Sequence, residues 1–256
     1  MALSYSFHVS NQGHAVSTCS KLNGISKHNE RKYESKDYDK SKIDIIFSQT
    51  GRGLYKDVQA VYHDQFDEAV QKYNDLQKRE DRKIKDYLHH VSDSKNNDVA
   101  VEIIIQLGDA EYWKDKDMDF KRSMRMYFED QLERLQREMP DFKIANAVIH
   151  YDEKSPHMHV VGVPVANGYK RGLEVRCSKT QIFTKKTLSR FQDVMRINPK
   201  LPTKMLIMNR KDSVETKPKK KGRNFDFTKS ELDEYTKERL EREKHLEELD
   251  RAISQK

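Results

Sequence analysis

The sequence of 256 residues predicts an α+β fold, and three observations carry this prediction. Short segments rich in β-branched residues end at Gly or at other turn-forming residues, which is typical of strands. Longer segments between them have apolar residues at helical spacing. Near the middle of the chain, two apolar stretches flank a short polar turn, which predicts an antiparallel hairpin.

The elements follow in chain order. Strands are predicted at residues 4–9, 43–47 and 99–107, and the hairpin at residues 144–151 and 158–165. A Gly- and Ser-rich loop is predicted after the first strand, as far as Arg31. Helical spacing covers residues 57–90 and 120–139, where Pro140 ends the second helix. Another helix is predicted from Ser178, because Ser178-Lys179-Thr180-Gln181 resembles a capping box.

Composition limits the class of protein. Hydrophobic residues make up 35% and charged residues 36%, and no apolar run approaches the roughly 20 residues of a membrane span. The N-terminus lacks a signal-peptide pattern, and the two cysteines give no disulfide framework. We therefore expect a cytoplasmic protein with no membrane span.

The positive charge is concentrated near the C-terminal end. The nine basic and two acidic residues between 200 and 223 match the whole net charge of +7, which favours a polyanionic partner. We expect a domain at residues 1–200, a basic linker at 201–227 and a charged helix at 228–256. That helix has a thin apolar seam that could begin a coiled coil and mediate dimerisation. Because its pattern runs to the last residue, we expect a projecting tail or the start of a longer helix.

Three histidines, His150, His157 and His159, fall within ten residues. Alternate residues of a strand face the same side, so His157 and His159 would point together. A turn through residues 154–156 would bring His150 beside them. Three imidazoles suit a divalent metal ion that keeps positions open for water or substrate. A structural zinc would usually need a fourth ligand, and neither Cys19 nor Cys177 is near in sequence.

A metal site in a chain that also favours a polyanionic partner indicates phosphate chemistry. The ion can bind a scissile phosphate and offset the charge that develops during in-line attack. Water as the attacking group would make the protein a nuclease, and a side chain would make it a covalent strand-transfer enzyme.

The stretch His150-Tyr-Asp-Glu-Lys-Ser-Pro-His157-Met-His159 resembles the His-x-Asp-Glu-x-x-Pro-His-x-His signature of MobV-type relaxases, the plasmid mobilisation and recombination (Mob/Pre) family. His28-Asn29-Glu30-Arg31 resembles the upstream His-x-x-Arg motif of that family, in the same order along the chain. The resemblance covers roughly residues 4–200.

This resemblance implies a central antiparallel sheet flanked by helices, as in the HUH endonuclease group. It also implies an enzyme that nicks one strand at a plasmid transfer origin, with single-stranded and hairpin DNA as its partner. The enzyme stays attached to the new 5′ phosphate, later rejoins the ends, and so initiates conjugative mobilisation. By the same resemblance His28 is the nucleophile, and His150, His157 and His159 bind Mn²⁺ or Mg²⁺.

Neighbouring residues receive supporting roles. Glu153 is the candidate to accept the imidazole proton. Asp152 could orient a ligand histidine, and Arg31 could fork onto a phosphate. The candidate DNA-binding residues are basic: Lys27, Arg31, Lys32, Lys185, Lys186, Arg190, Lys219, Lys220 and Lys221.

Several alternatives stay open. Tyr33 and Tyr38 are possible nucleophiles near His28. The family often has an Asn-Tyr-Asp/Glu-Leu element, but the matching stretch reads Asp44-Ile45-Ile46-Phe47, which lacks that tyrosine and acid; Glu102 could be a substitute acid. An HUH replication initiator or transposase would use a downstream tyrosine, yet none occurs between Ser178 and Tyr235. A further possibility for the whole protein is a noncatalytic DNA-binding protein with a structural metal.

Overall fold

The computed structural model describes residues 5–10, 14–33, 38–94 and 97–196. The predicted basic linker at 201–227 and the predicted charged helix at 228–256, with the coiled-coil dimerisation that it suggested, lie outside the described residues.

A six-stranded antiparallel sheet forms the centre of the described part, as the predicted fold class requires. Its spatial order is β1-β3-β5-β4-β2, and β6 pairs with the far end of β5. The inner strands β3, β5 and β4 are mostly buried, because helices cover both faces of the sheet. The strands are β1 (Tyr5–Val9), β2 (Ile43–Ser48), β3 (Val101–Leu107), β4 (Phe142–His150), β5 (His157–Asn167) and β6 (Val175–Cys177).

Helices pack on both faces of the sheet, and the apolar core forms two clusters. One core cluster contains Tyr127 and Phe128 of α6, packed with Ile103 and Ile105 of β3. The other contains residues of α1, α2 and α3 with Val161 and Val163 of β5. The helices are α1 (Cys19–Asn29), α2 (Leu54–Asp75), α3 (Tyr87–Asp93), α4 (Ala110–Trp113), α5 (Met118–Arg122), α6 (Arg125–Glu138), α7 (Lys179–Ile182) and α8 (Lys185–Arg196).

The longer predicted helices are each divided in the structure. The segment predicted at 57–90 forms α2 and α3, because Asn74 accepts a hydrogen bond from Ile84 N and donates one to Ile84 O, both at 2.8 Å. The segment at 120–139 forms α5 and α6, with a break where Ser123 Oγ donates to Phe120 O at 2.6 Å. Ser178 is the N-cap residue of α7, but its side chain makes no capping hydrogen bond, and α8 follows as a separate helix.

Helix α1 replaces the loop that the sequence predicts before Arg31. Gly24 and several Ser and Asn residues are weak helix formers, but two other features stabilise the helix. Thr18 caps it by accepting a hydrogen bond from Lys21 N at 3.2 Å, and Leu22 is fully buried. The helix places His28 in its last turn.

Candidate active site

The hairpin of β4 and β5 brings the three clustered histidines together. His150, the last residue of β4, lies directly opposite His157, the first residue of β5. His159 follows two residues later on the same face. The centroids of the imidazole rings are 4.5 Å apart for His150 and His159, 4.9 Å for His157 and His159, and 5.3 Å for His150 and His157. The juxtaposition expected from strand alternation and the turn is therefore present.

Each of these rings has one nitrogen held by an acceptor. The acceptors are Asn29 O for His150 Nε2 at 2.9 Å, Ser155 O for His157 Nδ1 at 2.8 Å, and Glu102 Oε1 for His159 Nδ1 at 2.8 Å. Because a carbonyl or carboxylate oxygen can only accept, each of these nitrogens carries the proton. The lone pairs are therefore on His150 Nδ1, His157 Nε2 and His159 Nε2.

The remaining nitrogens suit a metal ion. Within the described residues, the buried atoms His150 Nδ1 and His159 Nε2 have no hydrogen-bond partner. Burial lowers the pKa of His159 to about 4 and also lowers the pKa of His157, which keeps both rings neutral, as ligation requires. An anchored N–H on one side and a free lone pair on the other is the usual arrangement of metal-binding histidines.

Two overlapping sets of possible ligands share His150. In one set His28, His150 and His159 have ligand atoms within 4.8 Å of one another, and in the other His150, Glu153 and His157 do. Glu153 Oε1 is 3.5 Å from His150 Nδ1 and 3.6 Å from His157 Nε2. The pKa of Glu153 lies well below its usual range, because a protonated His150 and the Arg31 guanidinium both stabilise the carboxylate; Arg31 does so also when His150 Nδ1 carries a lone pair. This carboxylate therefore lies among the free histidine nitrogens.

Arg31 connects the upstream motif to the hairpin. It follows the end of α1 in the left-handed region, with φ of 50°. Its Nε and Nη2 donate to both oxygens of Asp152 at 2.8 and 2.7 Å, and Nη2 also donates to Glu153 at 2.8 Å. Arg31 is 4% exposed, and a buried guanidinium needs such partners. Asp152 thus binds Arg31 instead of orienting a histidine, and Arg31 binds carboxylates instead of presenting its fork to a phosphate.

His28 lies beside the histidine cluster. Its ring centroid is 5.6 Å from that of His150 and 5.6 Å from that of His159. Its Nδ1 is 3.3 Å from Tyr38 Oη. Burial, and then the charges of Arg31 and His150, lower the pKa of His28, so the neutral ring predominates near neutral pH. Tyr33, by contrast, is 45% exposed, and its hydroxyl donates to Gly24 O at 3.4 Å.

An open cleft of 980 Å³ gives access to these groups. Its lining is mostly polar and includes residues from both motifs: His28, Tyr38, Asp39, Lys42, Ile104, Gln106, Asp152, Glu153, Lys154, Ser155, His157 and His159.

Glu102 of β3 is mostly buried, whereas a strand carboxylate more often faces solvent. Its side chain is 12% exposed, and Oε1 accepts hydrogen bonds from both His159 Nδ1 and Asn29 Nδ2, the latter at 3.0 Å. Burial raises the pKa of Glu102, but these two bonds outweigh burial and hold it below the ordinary value. The signal for this role is the register: Ile104 pairs with His159, so Glu102 lies diagonally beside it on the same face.

Comparison with known proteins identifies the family. The model of the Mob_Pre family, described as plasmid recombination enzyme, matches residues 15–222. The chain belongs to the Mob_Pre family. This confirms the relationship that the two histidine motifs predict.

Two curated Mob_Pre relatives are distant and longer. Plasmid recombination enzyme type 1 of Staphylococcus aureus is 27% identical over 178 residues, which cover 70% of this chain and 38% of the relative. The plasmid recombination enzyme of a Bacillus species is 29% identical over 157 residues, which cover 60% of this chain and 32% of the relative. The chain thus spans about a third of the length of these relatives.

Solved Mob_Pre structures have the same fold. One is the Mn-bound MobM relaxase domain (MOBV) with a 22-nucleotide plasmid oriT DNA carrying a 3′ thiophosphate, at pH 6.8; its TM-score is 0.51 at 18% identity, covering 91% of this chain and 98% of that one. A second, Mn-bound with 22-nucleotide oriT DNA at pH 4.6, has a TM-score of 0.51 at 20% identity, covering 90% and 99%. The expected central antiparallel sheet flanked by helices is therefore confirmed.

The basic candidates of this Mob_Pre chain fall into three groups. Lys27 and Lys32 are exposed near His28, and Lys32 pairs with Glu30 at 2.8 Å. The exposed residues Lys185, Lys186 and Arg190 lie on α8, where Arg190 pairs with Glu138 at 3.3 Å. The run Lys219, Lys220 and Lys221 lies outside the described residues.

Among the described residues, no helix is both long and apolar enough to cross a membrane.

Proposed function

We propose that residues 1–200 form a relaxase domain, which nicks one strand of a plasmid transfer origin and joins its 5′ phosphate to His28. The observation that carries this proposal is the position of His28, whose ring centroid lies 5.6 Å from those of His150 and His159 at an open cleft. A nucleophile and a phosphate-binding ion must act on the same phosphorus atom, and the closeness of His28 to the proposed ligand histidines supports this assignment.

His150, His157 and His159 would hold a divalent ion, with Glu153 beside them. Mn²⁺ fits three nitrogen ligands better than Mg²⁺, which prefers oxygen. When bound, the ion would supply a positive charge that stabilises the phosphate during displacement. The hydrogen bonds from the three rings to Asn29 O, Ser155 O and Glu102 would fix the ring orientations.

In the nicking step the His28 nitrogen lone pair forms a bond to phosphorus. The bond from phosphorus to the 3′ oxygen breaks, and that oxygen leaves with the electron pair and takes a proton from solvent. The product is a phosphoramidate on His28 and a free 3′ hydroxyl. The linkage is reactive, so attack by a 3′ hydroxyl reverses the step and rejoins a strand.

Glu153 is a poor candidate for the proton acceptor. Its lowered pKa makes it a weak base, and a neutral imidazole needs no base before it attacks. We assign Glu153 instead to the ligand cluster and to the ion pair with Arg31. Asp152 and Arg31 then act by holding the two motifs together.

The substrate is DNA from a plasmid transfer origin, bound as a single strand or at the base of a hairpin, in the cytoplasm. We propose Lys27, Lys32, Lys185, Lys186, Arg190 and Lys219 to Lys221 as phosphate contacts, whose neutralisation would make binding salt-dependent. Conjugative mobilisation would begin with the nick.

The test is incubation with supercoiled plasmid or single-stranded oligonucleotides and Mn²⁺, followed by denaturing electrophoresis. We expect a protein-DNA adduct that His28→Ala abolishes. An adduct that persists in His28→Ala would indicate a tyrosine nickase of the replication-initiator or transposase type. Cleavage without any adduct would indicate a nuclease, and unfolding on metal removal without cleavage a noncatalytic DNA-binding protein.

A further inference from the structure

We propose that Tyr38 is a positioning residue for His28 and determines which imidazole nitrogen attacks the phosphate. This inference rests on the proposed function, because it concerns the nucleophile of that reaction. Tyr38 Oη lies 3.3 Å from His28 Nδ1. The two rings are nearly perpendicular, at 84° with centroids 5.5 Å apart.

The surrounding contacts hold Tyr38 in place. The guanidinium carbon of Arg31 lies 4.1 Å from the centroid of the Tyr38 ring, in a cation–π contact. The backbone N–H of Asp39, which follows Tyr38 in the chain, donates to Asp152 Oδ2 at 3.1 Å. The same oxygen accepts from Arg31 Nε at 2.8 Å. One buried carboxylate therefore fixes both the arginine under the ring and the backbone beside it.

The contact between Tyr38 Oη and His28 Nδ1 leaves a free lone pair for attack only if Nδ1 is the donor, because a hydroxyl that donated to Nδ1 would occupy that lone pair and leave Nε2 protonated. With His28 Nδ1–H donating to Tyr38 Oη, the lone pair is on Nε2, and this nitrogen forms the bond to phosphorus while the bond to the 3′ oxygen breaks. The leaving oxygen is protonated by solvent, and Nδ1 keeps its proton. The ring becomes cationic as the new bond forms, so the hydrogen bond to Tyr38 is stronger in the transition state than before it.

Tyr38→Phe tests this inference, because it removes the hydroxyl but keeps the ring over Arg31. We expect single-turnover nicking to be roughly 10- to 100-fold slower, the range for loss of one hydrogen bond to a charged group. The KM for DNA, the Mn²⁺ affinity and the melting temperature should stay at wild-type values, because none of the three histidines of the cluster contacts this hydroxyl among the described residues.

Tyr169→Phe is the matched control. Arg176 lies over the Tyr169 ring at the same 4.1 Å, so this variant removes a hydroxyl from a similarly stacked tyrosine outside the cleft lining. Its nicking rate should equal that of the wild type.

Each other outcome overturns a specific claim. Wild-type nicking by Tyr38→Phe, or a loss confined to KM, would refute the positioning role. Complete loss of an adduct that is acid-stable in the wild type would show that Tyr38 itself attacks with His28 as its base. If the wild type forms no adduct, the proposed function fails, whatever Tyr38 does.

Discussion

Replacement of Glu102 should weaken Mn²⁺ binding in two graded steps. The single oxygen Oε1 accepts from His159 Nδ1 at 2.8 Å and from Asn29 Nδ2 at 3.0 Å. In Glu102→Gln an amide oxygen can still accept both bonds, but the negative charge is lost. In Glu102→Leu both donors are left buried without an acceptor.

The magnitudes follow from what each variant removes. Loss of an interaction that orients a metal ligand costs about 10- to 100-fold in affinity. We assign about 10-fold, or about 1.4 kcal/mol, to Glu102→Gln, since only the charge changes. We assign about 100-fold, or about 2.8 kcal/mol, to Glu102→Leu, since the His159 ring is then free to turn.

Isothermal titration calorimetry with Mn²⁺ measures this series. Glu133→Gln on α6 is the matched control, because Glu133 is exposed and outside the cleft lining, so its affinity should equal that of the wild type. The melting temperature without metal shows whether each variant folds. If both Glu102 variants bind Mn²⁺ within about twofold of the wild type, the orientation of His159 does not depend on this carboxylate, and the reasoning is wrong.

Three further changes test other parts of the structure. Arg31→Leu leaves the buried carboxylate of Asp152 unpaired, so the free energy of unfolding in urea should fall by about 3–5 kcal/mol; a loss below about 1 kcal/mol would contradict this. Asp57 is fully buried and accepts four hydrogen bonds, so Asp57→Ala should lower the free energy of unfolding in urea by at least about 3 kcal/mol, and an unfolding curve equal to that of the wild type would show that these bonds are dispensable. Burial raises the pKa of the Cys177 thiol to about 12, whereas the pKa of an unfolded thiol is about 8.5. The stability gained by burying the neutral thiol is complete below the pKa of the unfolded thiol. It is lost as pH rises toward the pKa of the folded one, by about 1.4 kcal/mol per pH unit. Stability of Cys177→Ala should therefore fall less steeply above pH 9 or so than that of the wild type, and equal slopes would refute the shift.

The part of the fold that the sequence predicts best is the part with the clearest periodicity. The hairpin strands and β3 are nearly continuous apolar runs, and a short turn between two histidine-bearing ends leaves one register that pairs His150 with His157. Helix α1 was beyond such reasoning. Several of its residues have low intrinsic helix propensity, and the Thr18 cap together with the tertiary packing of Leu22 makes the helix favourable.

In the candidate site, too, the sequence predicts one part and not another. The two motifs are visible in sequence, but their contacts cross 121 to 122 positions, as between Arg31 and the carboxylates of Asp152 and Glu153. From the sequence alone, the expected partner of Arg31 is a phosphate and that of Asp152 is a histidine ring, because these are ordinary partners of arginine and aspartate. Only the three-dimensional arrangement shows that a buried guanidinium and a buried carboxylate satisfy each other.

The decisive measurement is to identify the residue that is covalently joined to DNA. The adduct formed with Mn²⁺ would be digested, mapped by mass spectrometry, and compared before and after mild acid treatment. We predict a phosphoramidate on His28 that acid cleaves, and no adduct in His28→Ala although that variant still binds Mn²⁺. An acid-stable phosphotyrosine, or a His28→Ala variant that loses Mn²⁺ binding, would contradict it.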